Sequence, residues 1–445
     1  MTTAPHTRGA PVAAPYRTAQ PARSTSSPGQ LALLARPMAS YYIIVGVTML
    51  LVGLGLVMVF SASAVEEFAA NQSSTGLLRK QLMWVALGLP AMWAASRLPV
   101  RFFRLLAYPL LLAAIALNVL VLVIGIGENG AVRWLQIGPI TMQPSELAKI
   151  ALVLWGADLY ARKTKLLTDW KHVVMPLLPV ATVLVALVML QRDMGTTLTI
   201  LCIVVALLWV VGLPTRQFVA FFAAIAALCV LLAVSEPYRL ARVRTYLNPD
   251  ADPLGAGLQA IQGRIGIAQG GWFGLGLGNS RQKWGILPNS ETDFIFAIIG
   301  EELGLLGTLI VVALFGLLAY VGIRTAQRST DPFSRYASAA VTVWLLGQAV
   351  INMGAVVGLV PITGIPLPLI SSGGSALVTT LVALGMLASF ARREPGAAEA
   401  LAARGIGPVA RTARWAARYY GFGPAPAGSP GTSGRRRRRR RRGSQ

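Results

Sequence analysis

The sequence predicts an all-α polytopic membrane protein of about ten transmembrane helices, and three observations predict it. The 445 residues are 55% hydrophobic and only 13% charged, a balance outside the range of soluble domains. Apolar runs long enough to cross a hydrocarbon core of about 30 Å recur along the chain. The short connections between them alternate between strongly basic and nearly neutral, the pattern that fixes orientation in a membrane.

Ten apolar runs fall at about 41–61, 81–97, 105–126, 146–161, 172–190, 195–213, 217–235, 294–323, 337–360 and 375–391. With the amino terminus inside, the inner loops hold eleven basic residues: Arg97, Arg101, Arg104, Arg162, Lys163, Lys165, Lys171, Arg216, Arg324, Arg328 and Arg335. The short outer loops hold four, Arg79, Lys80, Arg133 and Arg192. Both termini are therefore expected in the cytoplasm, with one large extracytoplasmic loop, 235–293, before the eighth helix. The net charge of +23 follows from this bias and from the tails. It is not a nucleic-acid signature, since no compact basic fold carries it. Cys202 and Cys229 lie inside apolar runs and are expected to pack there, and His6 and His172 give no metal-ligand cluster with them.

Taken in order, residues 1–38 are rich in Pro, Ala, Ser, Thr and Arg without apolar periodicity, and are expected to form a disordered cytoplasmic tail. The first apolar run begins too far in for a cleaved signal peptide and should remain as a helix. The membrane domain is expected over 39–393. The second outer loop, 128–145, has the Gly, Trp and Pro content of a structured turn on the membrane surface. It leads into Glu146 and Lys149, three apart on one helix face, where they can pair either as a helix-start ion pair or as part of a substrate groove. Asp193, between the fifth and sixth runs, either caps the sixth helix with Thr196 and Thr197 or walls an outward-facing cavity.

The large outer loop carries Arg239, Arg242, Arg244, Arg264, Arg281 and Lys283 against Glu236, Asp250, Asp252, Glu291 and Asp293. Arg242 and Arg244 suit either a phosphate or lipid headgroups. Asp250-Ala-Asp252 reads as a turn more than as a metal-binding Asp-x-Asp. Gly270, Gly271, Gly274, Gly276 and Gly278 allow close backbone approach to a ligand or a flexible loop. The eighth helix is expected to start at Thr292 and Asp293, which leaves Asp293 either its N-cap or a functional carboxylate at the water–hydrocarbon boundary. Glu301 and Glu302 follow about 12–14 Å deeper and must either be protonated or find a cation, for which Lys149 is one candidate. Segment 361–374, with three prolines and two serines, is expected to be irregular and covered by protein or a water-filled cavity. Residues 394–445 form a basic tail ending in eight arginines, 435–442, suited to anionic lipid or an acidic cytoplasmic partner.

Four stretches together, GAVRWLQIGPITMQPSELAK (130–149), DMGTT (193–197), GLGNSRQK with LPNSETDFIFAIIGEELG (276–304) and PITGIPLPLISSGG (361–374), resemble the SEDS family of cell-wall polymerases. The likeness spans about 40–393, and the wording of the third stretch is closer to the cell-division branch than to the elongation branch. Three positions differ from the family's usual wording: Asn289 and Glu291 stand where it has Glu and His, and Arg192 where it has Pro. The resemblance implies a peptidoglycan glycosyltransferase in the cytoplasmic membrane, at the division septum. It would polymerise lipid II at the outer face, invert the anomeric carbon and release undecaprenyl pyrophosphate, with a class B penicillin-binding transpeptidase and other divisome proteins as partners. It also implies Asp293 as the catalytic residue.

Substrate contacts are expected at Arg133, Glu146, Lys149, Asp193, Arg242, Arg244, Ser280, Gln282, Lys283, Glu302, Ser371 and Ser372. No metal site is expected, although a divalent cation, Mg or Mn, is compatible with a pyrophosphate substrate. A lipid II flippase or a non-catalytic divisome scaffold would explain ten helices and buried acids as well, although the chain shows no clear internal repeat of the kind transporters carry.

Overall fold

The computed structural model describes residues 38–69, 75–128, 131–138, 140–167, 169–234, 237–255 and 257–397. The expected tails beyond 37 and 398, Glu236 and the arginine run lie outside the described residues. Glu394, assigned to the carboxy-terminal tail by the sequence, is instead buried, accepting a hydrogen bond from Thr325 (3.0 Å) and facing Arg328 (3.4 Å).

Ten helices occupy the expected runs: α1 Ala39–Ala69, α2 Gly76–Arg97, α3 Val100–Ile124, α4 Pro144–Arg162, α5 Trp170–Leu190, α6 Met194–Val211, α7 Thr215–Val234, α10 Ile295–Arg328, α11 Pro332–Val356 and α12 Gly374–Ala391. Two shorter helices, α8 Pro237–Leu247 and α9 Leu258–Gly270, fold within the large loop. Among the described residues, seven of these helices (α1, α3, α5, α6, α10, α11 and α12) are long and apolar enough to cross a membrane. The others fall short for visible reasons. Helix α2 carries Arg79, Lys80 and Arg97, α4 carries Glu146, Lys149, Asp158 and Arg162, and the apolar stretch of α7 is shorter.

The charges on α4 are tolerable because it runs through the centre of the bundle: every residue from Ala148 to Tyr160 is buried. Helices α3 and α5 turn leucines, valines and methionine outward, as Leu112 on α3 and Met175 on α5 illustrate. Such exposed apolar faces suit lipid rather than water. Prolines lie inside α2 (Pro90), α3 (Pro109) and α5 (Pro176 and Pro179). At the basic end of the bundle, buried Asp158 of α4 receives Arg104 at 2.8 Å and Arg162 at 2.6 Å, tying α3 to α4.

Two features depart from the sequence expectation. The second outer loop is not a simple turn but a small antiparallel sheet in the order β1-β2-β3, from Ile126–Glu128, Ala131–Ile137 and Ile140–Met142. Its strands alternate too briefly for the period-2 pattern to stand out. Helix α10 begins at Ile295, not at Thr292, and is broken at Gly304, whose φ of 69° and ψ of −164° no side-chain-bearing residue adopts readily.

The break lets the glycine-rich segment lie directly on the helix. Leu275 N–H donates to the Glu301 carbonyl at 2.9 Å, Gly276 N–H to Glu302 at 3.0 Å, and Leu305 and Leu306 N–H donate back to Gly271 and Trp272. A Cβ on Gly274 would stand 2.1 Å from the Glu302 carbonyl oxygen. The part of α10 beyond Gly304, about 36 Å at 1.5 Å per residue, is by itself long enough to cross the hydrocarbon core. Gly304→Ala is expected to destabilise the protein by more than the roughly 1–3 kcal/mol of backbone strain alone, since its Cβ would also stand 2.4 Å from Gly274 N. A thermal-unfolding scan in detergent, with Gly316→Ala as the uncrowded control, reads the difference.

Candidate active site

Four outer connections meet at one end of the bundle: β3 into α4, α5 into α6, the large loop into α10, and α11 into α12. Between them lies a cavity of about 260 Å³ lined by Arg133, Trp134, Gln143, Glu146, Lys149, Asp193, Thr196, Asn289, Thr292, Asp293, Gln348, Gly364, Pro366 and Ser372, among others. The two ends of the site, Asp293 and the Glu146–Lys149 pair, are 144 or more residues apart in sequence.

Asp293 ends a turn opened by Asn289, whose φ is +59°. The residue that caps α10 is Phe294, with no side-chain capping bond, so the N-cap reading of Asp293 does not hold. Its backbone is pinned instead. Ser372 N–H donates to the Glu291 carbonyl (2.9 Å), the Ser371 hydroxyl to Thr292 (2.6 Å) and the Asn352 amide to Asp293 itself (2.8 Å). Among the described residues nothing hydrogen-bonds the Asp293 carboxylate. Burial raises its pKa to about 6, against the pull of Arg242 and Arg133, while Glu291 and Asp193 push the same way as burial. Gly364 lines the cavity beside it, and a Cβ there would lie 3.5 Å from Asp293 Oδ2.

Lys149 is almost fully buried, with Nζ 2.8 Å from Glu146 Oε1, 3.3 Å from Gln348 Oε1 and 5.0 Å from the centre of the Trp344 ring. The second Glu146 oxygen accepts from Thr379 at 3.3 Å. The ion pair foreseen on one helix face thus forms, and it lines the cavity. Asp193 satisfies both sequence readings. It caps α6 by accepting from Thr196 N–H (3.0 Å) and Thr196 Oγ1 (2.7 Å), it receives Gln143 Nε2 (2.8 Å), and it walls the cavity. Arg133 donates to the Arg192 carbonyl at 2.5 Å, while its buried Nε–H has no partner among the described residues.

The remaining expected contacts lie elsewhere. Ser280, Gln282, Lys283 and Glu302 line no part of this cavity; they belong to a buried clasp behind it. Glu302 accepts from Ser61 of α1 (2.7 and 2.8 Å) and from Ser280 N–H (3.3 Å), and faces Lys283 at 3.4 Å. Glu301 accepts from the Ser280 hydroxyl (2.5 Å) and from the backbone N–H of Arg281 (2.8 Å) and Gln282 (3.4 Å). The cation beside the two glutamates is Lys283, not Lys149, because the break at Gly304 brings the loop down onto them. Arg242 stays within electrostatic reach of Asp293, whereas Arg244 is exposed and lines a separate recess with Asp252. Ser371 is buried and serves the loop backbone, also donating nothing to the cavity while accepting from Leu367 N–H at 2.8 Å. Asp250 and Asp252 form a turn, with Asp252 accepting from Gly255 N–H.

Among the described residues no group of three or more His, Cys, Asp or Glu is placed to hold a metal ion. Of the cavity's acids, Asp193 is engaged with Gln143 and Thr196 and Glu146 with Lys149, while no described residue hydrogen-bonds the carboxylate of Asp293. Gln348 and Asn352 escaped the sequence reading. Their signal was there: two amides four residues apart in an otherwise apolar run share a face, and such a face turns inward. Gln348 donates to the Pro366 carbonyl (3.1 Å) and Asn352 to Ile365 (2.7 Å), which hold the proline-rich segment 361–373 in its non-helical course.

Residues 41–395 match the cell cycle protein family FtsW/RodA/SpoVE. The chain belongs to this SEDS family. Among SEDS relatives, the probable peptidoglycan glycosyltransferase FtsW of Mycobacterium tuberculosis is 46% identical over 374 residues, covering 84% of this chain and 71% of the relative. Stage V sporulation protein E of Bacillus subtilis is 37% identical over 354 residues, covering 79% and 96%. Among solved SEDS-like structures, a chain of a peptidoglycan synthase complex that couples polymerization and crosslinking superposes with a TM-score of 0.67 at 32% identity, covering 80% of this chain and 98% of that one. The rod shape determining protein RodA of Thermus thermophilus gives 0.59 at 29% identity, covering 79% and 96%. The ten-helix membrane architecture inferred from hydropathy is thus the SEDS fold.

Proposed function

We propose that this SEDS protein is a peptidoglycan glycosyltransferase that polymerises lipid II at the outer face of the cytoplasmic membrane during septal wall synthesis. The observation that carries the reading is the Asp293 carboxylate: held by its backbone, free of hydrogen bonds from the described residues, and facing a cavity that also presents Arg133 and Lys149. Joining a sugar hydroxyl to an anomeric carbon while a lipid pyrophosphate departs needs a base for the hydroxyl proton and cations for the developing charge. With a pKa of about 6, Asp293 is ionised at neutral pH yet basic enough to take the proton. Its backbone anchors leave the side chain in place without occupying its oxygens.

An α-linked donor giving a β-linked product inverts the anomeric carbon, so one base suffices and no sugar is held covalently, as in inverting glycosidases. Arg133, with one guanidinium N–H unmet, suits a phosphate oxygen. A divalent cation, Mg or Mn, is compatible with the pyrophosphate substrate, and no step here depends on it. The expected partner is a class B penicillin-binding transpeptidase, with other divisome proteins, and the likeness to a peptidoglycan synthase component supports that expectation. The tail arginines are suited to anionic lipid or an acidic cytoplasmic partner.

The reading is tested by reconstituting the protein with its transpeptidase in vesicles holding fluorescent lipid II, and following glycan chain length and lipid II translocation together. Glycan strands are expected. Translocation without strands would favour a flippase, and neither activity would leave a scaffold.

A further inference from the structure

Segment 361–373 and the turn that ends at Asp293 are both non-helical, so their buried carbonyls lack the donors a helix supplies and must be met from elsewhere. One side chain meets two of them. The Asn352 amide, 2% exposed on α11, donates to the Asp293 carbonyl (2.8 Å) and to the Ile365 carbonyl (2.7 Å). A primary amide carries two N–H groups on one nitrogen, so it bridges two carbonyls where a hydroxyl, with a single proton, reaches one.

The two carbonyls belong to the base and to the wall beside it. Asp293 carries the carboxylate that faces the cavity, and Gly364, one residue before Ile365, lies against that carboxylate: a Cβ there would stand 3.5 Å from Asp293 Oδ2. A single amide therefore sets the gap between the carboxylate and its wall, and with it how much water reaches the carboxylate. Ser371 and Ser372 also anchor the turn, at Thr292 and Glu291. They stand next to the wall segment itself, whereas Asn352 stands on a membrane helix.

We propose that Asn352 is a positioning residue for the Asp293 base, holding its carboxylate at a fixed depth in the cavity against the wall at Gly364. The inference rests on the glycosyltransferase reading and deepens it. Loss of the bridge frees the turn to move toward water. The carboxylate then regains hydration, its pKa falls from about 6 toward the ordinary carboxylate range, and it becomes a weaker and misplaced base. The charges around it are unchanged by the loss. Arg242 of α8 and Arg133 of β2 favour the anion, Glu291 of the same turn and Asp193 before α6 disfavour it, and Glu146 and Lys149 of α4 line the cavity as an ion pair.

The experiment uses the full chain with its transpeptidase in nanodiscs. Rates of lipid II polymerisation are taken against pH and lipid II concentration. Protonation of Asp293 is followed separately, without substrate, by the infrared band of its neutral carboxyl, identified by its loss in Asp293→Asn. Asn352→Leu, close in size but without the N–H groups, is expected to lower kcat about 10- to 100-fold with KM nearly unchanged. It should also move the acidic limb of the rate and the infrared midpoint down by about one to two pH units. Asn352→Ala, which leaves room for water to meet the two carbonyls, should shift both in the same direction. Thr342→Val removes a buried hydrogen bond nearer the start of the same helix and should keep the wild-type midpoints. Folded Asn352 variants whose midpoints stay at the wild-type value would overturn the proposal and leave the amide a strut of the fold, as would failure of both variants to fold. Wild-type protein that makes no glycan would refute the glycosyltransferase reading, while the infrared midpoints would still decide whether Asn352 sets the depth of Asp293.

Discussion

Asp293→Asn is expected to lower lipid II polymerisation by about 10²- to 10⁴-fold, the range general-base catalysis supplies, while the protein folds as wild type. The two halves of this expectation have separate causes. Asparagine keeps the shape of the side chain but cannot take a proton at neutral pH, so the acceptor hydroxyl loses its base. Folding should hold because the contacts that fix this residue reach its backbone: Asn352 on the Asp293 carbonyl, Ser371 on Thr292, and Ser372 on Glu291. The cavity also keeps its shape, since no hydrogen bond to the carboxylate is lost. Glycan length on a gel gives the rate, and thermal unfolding in detergent gives the stability. A poorly folded variant would mean that Asp293 holds the loop rather than reacts.

Lys149→Ala should do the reverse and unfold the protein before chemistry can be judged. Lys149 is 1% exposed, and its removal would leave Glu146, 4% exposed, without its 2.8 Å partner. Breaking one half of a buried ion pair costs about 3–5 kcal/mol, because the remaining charge is neither hydrated nor paired. The Gln348 carbonyl oxygen and the Trp344 ring would lose the same cation. Replacing both partners, Glu146→Gln with Lys149→Met, removes the stranded charge and should recover most of the unfolding temperature. It should not recover polymerisation, since the cavity would still lack the lysine. Recovery of both would reduce the pair to a structural strut.

Much of this was legible in the sequence. The ten membrane helices follow from apolar length, which acts locally along the chain. Glu146 with Lys149 was visible because three residues apart on a helix means one face. What failed did so where contacts between distant segments decide. Nothing local says that Gly304 breaks α10 and admits the loop from Gly271 to Lys283, so the partner of Glu302 was sought in Lys149 when it is Lys283. Nor does spacing separate Arg242 from Arg244. Two residues apart on α8, they point to different recesses, and the guanidinium that accompanies Arg242 comes from Arg264 on another helix. The start of α10 was misplaced because Thr292 and Asp293 have the chemistry of a cap, whereas Asn289 and the serines of 371–372 turn them into the end of a loop.

The account stands most directly on a pH–rate profile of glycan polymerisation, taken for wild type and for the residual activity of Asp293→Asn. A base works only when ionised, so the wild-type rate should be flat above neutrality and fall about tenfold per pH unit below a pKa of about 6, and that limb should vanish in the variant. A wild-type rate that is level through this range, or a limb that survives in Asp293→Asn, would show that another group takes the proton.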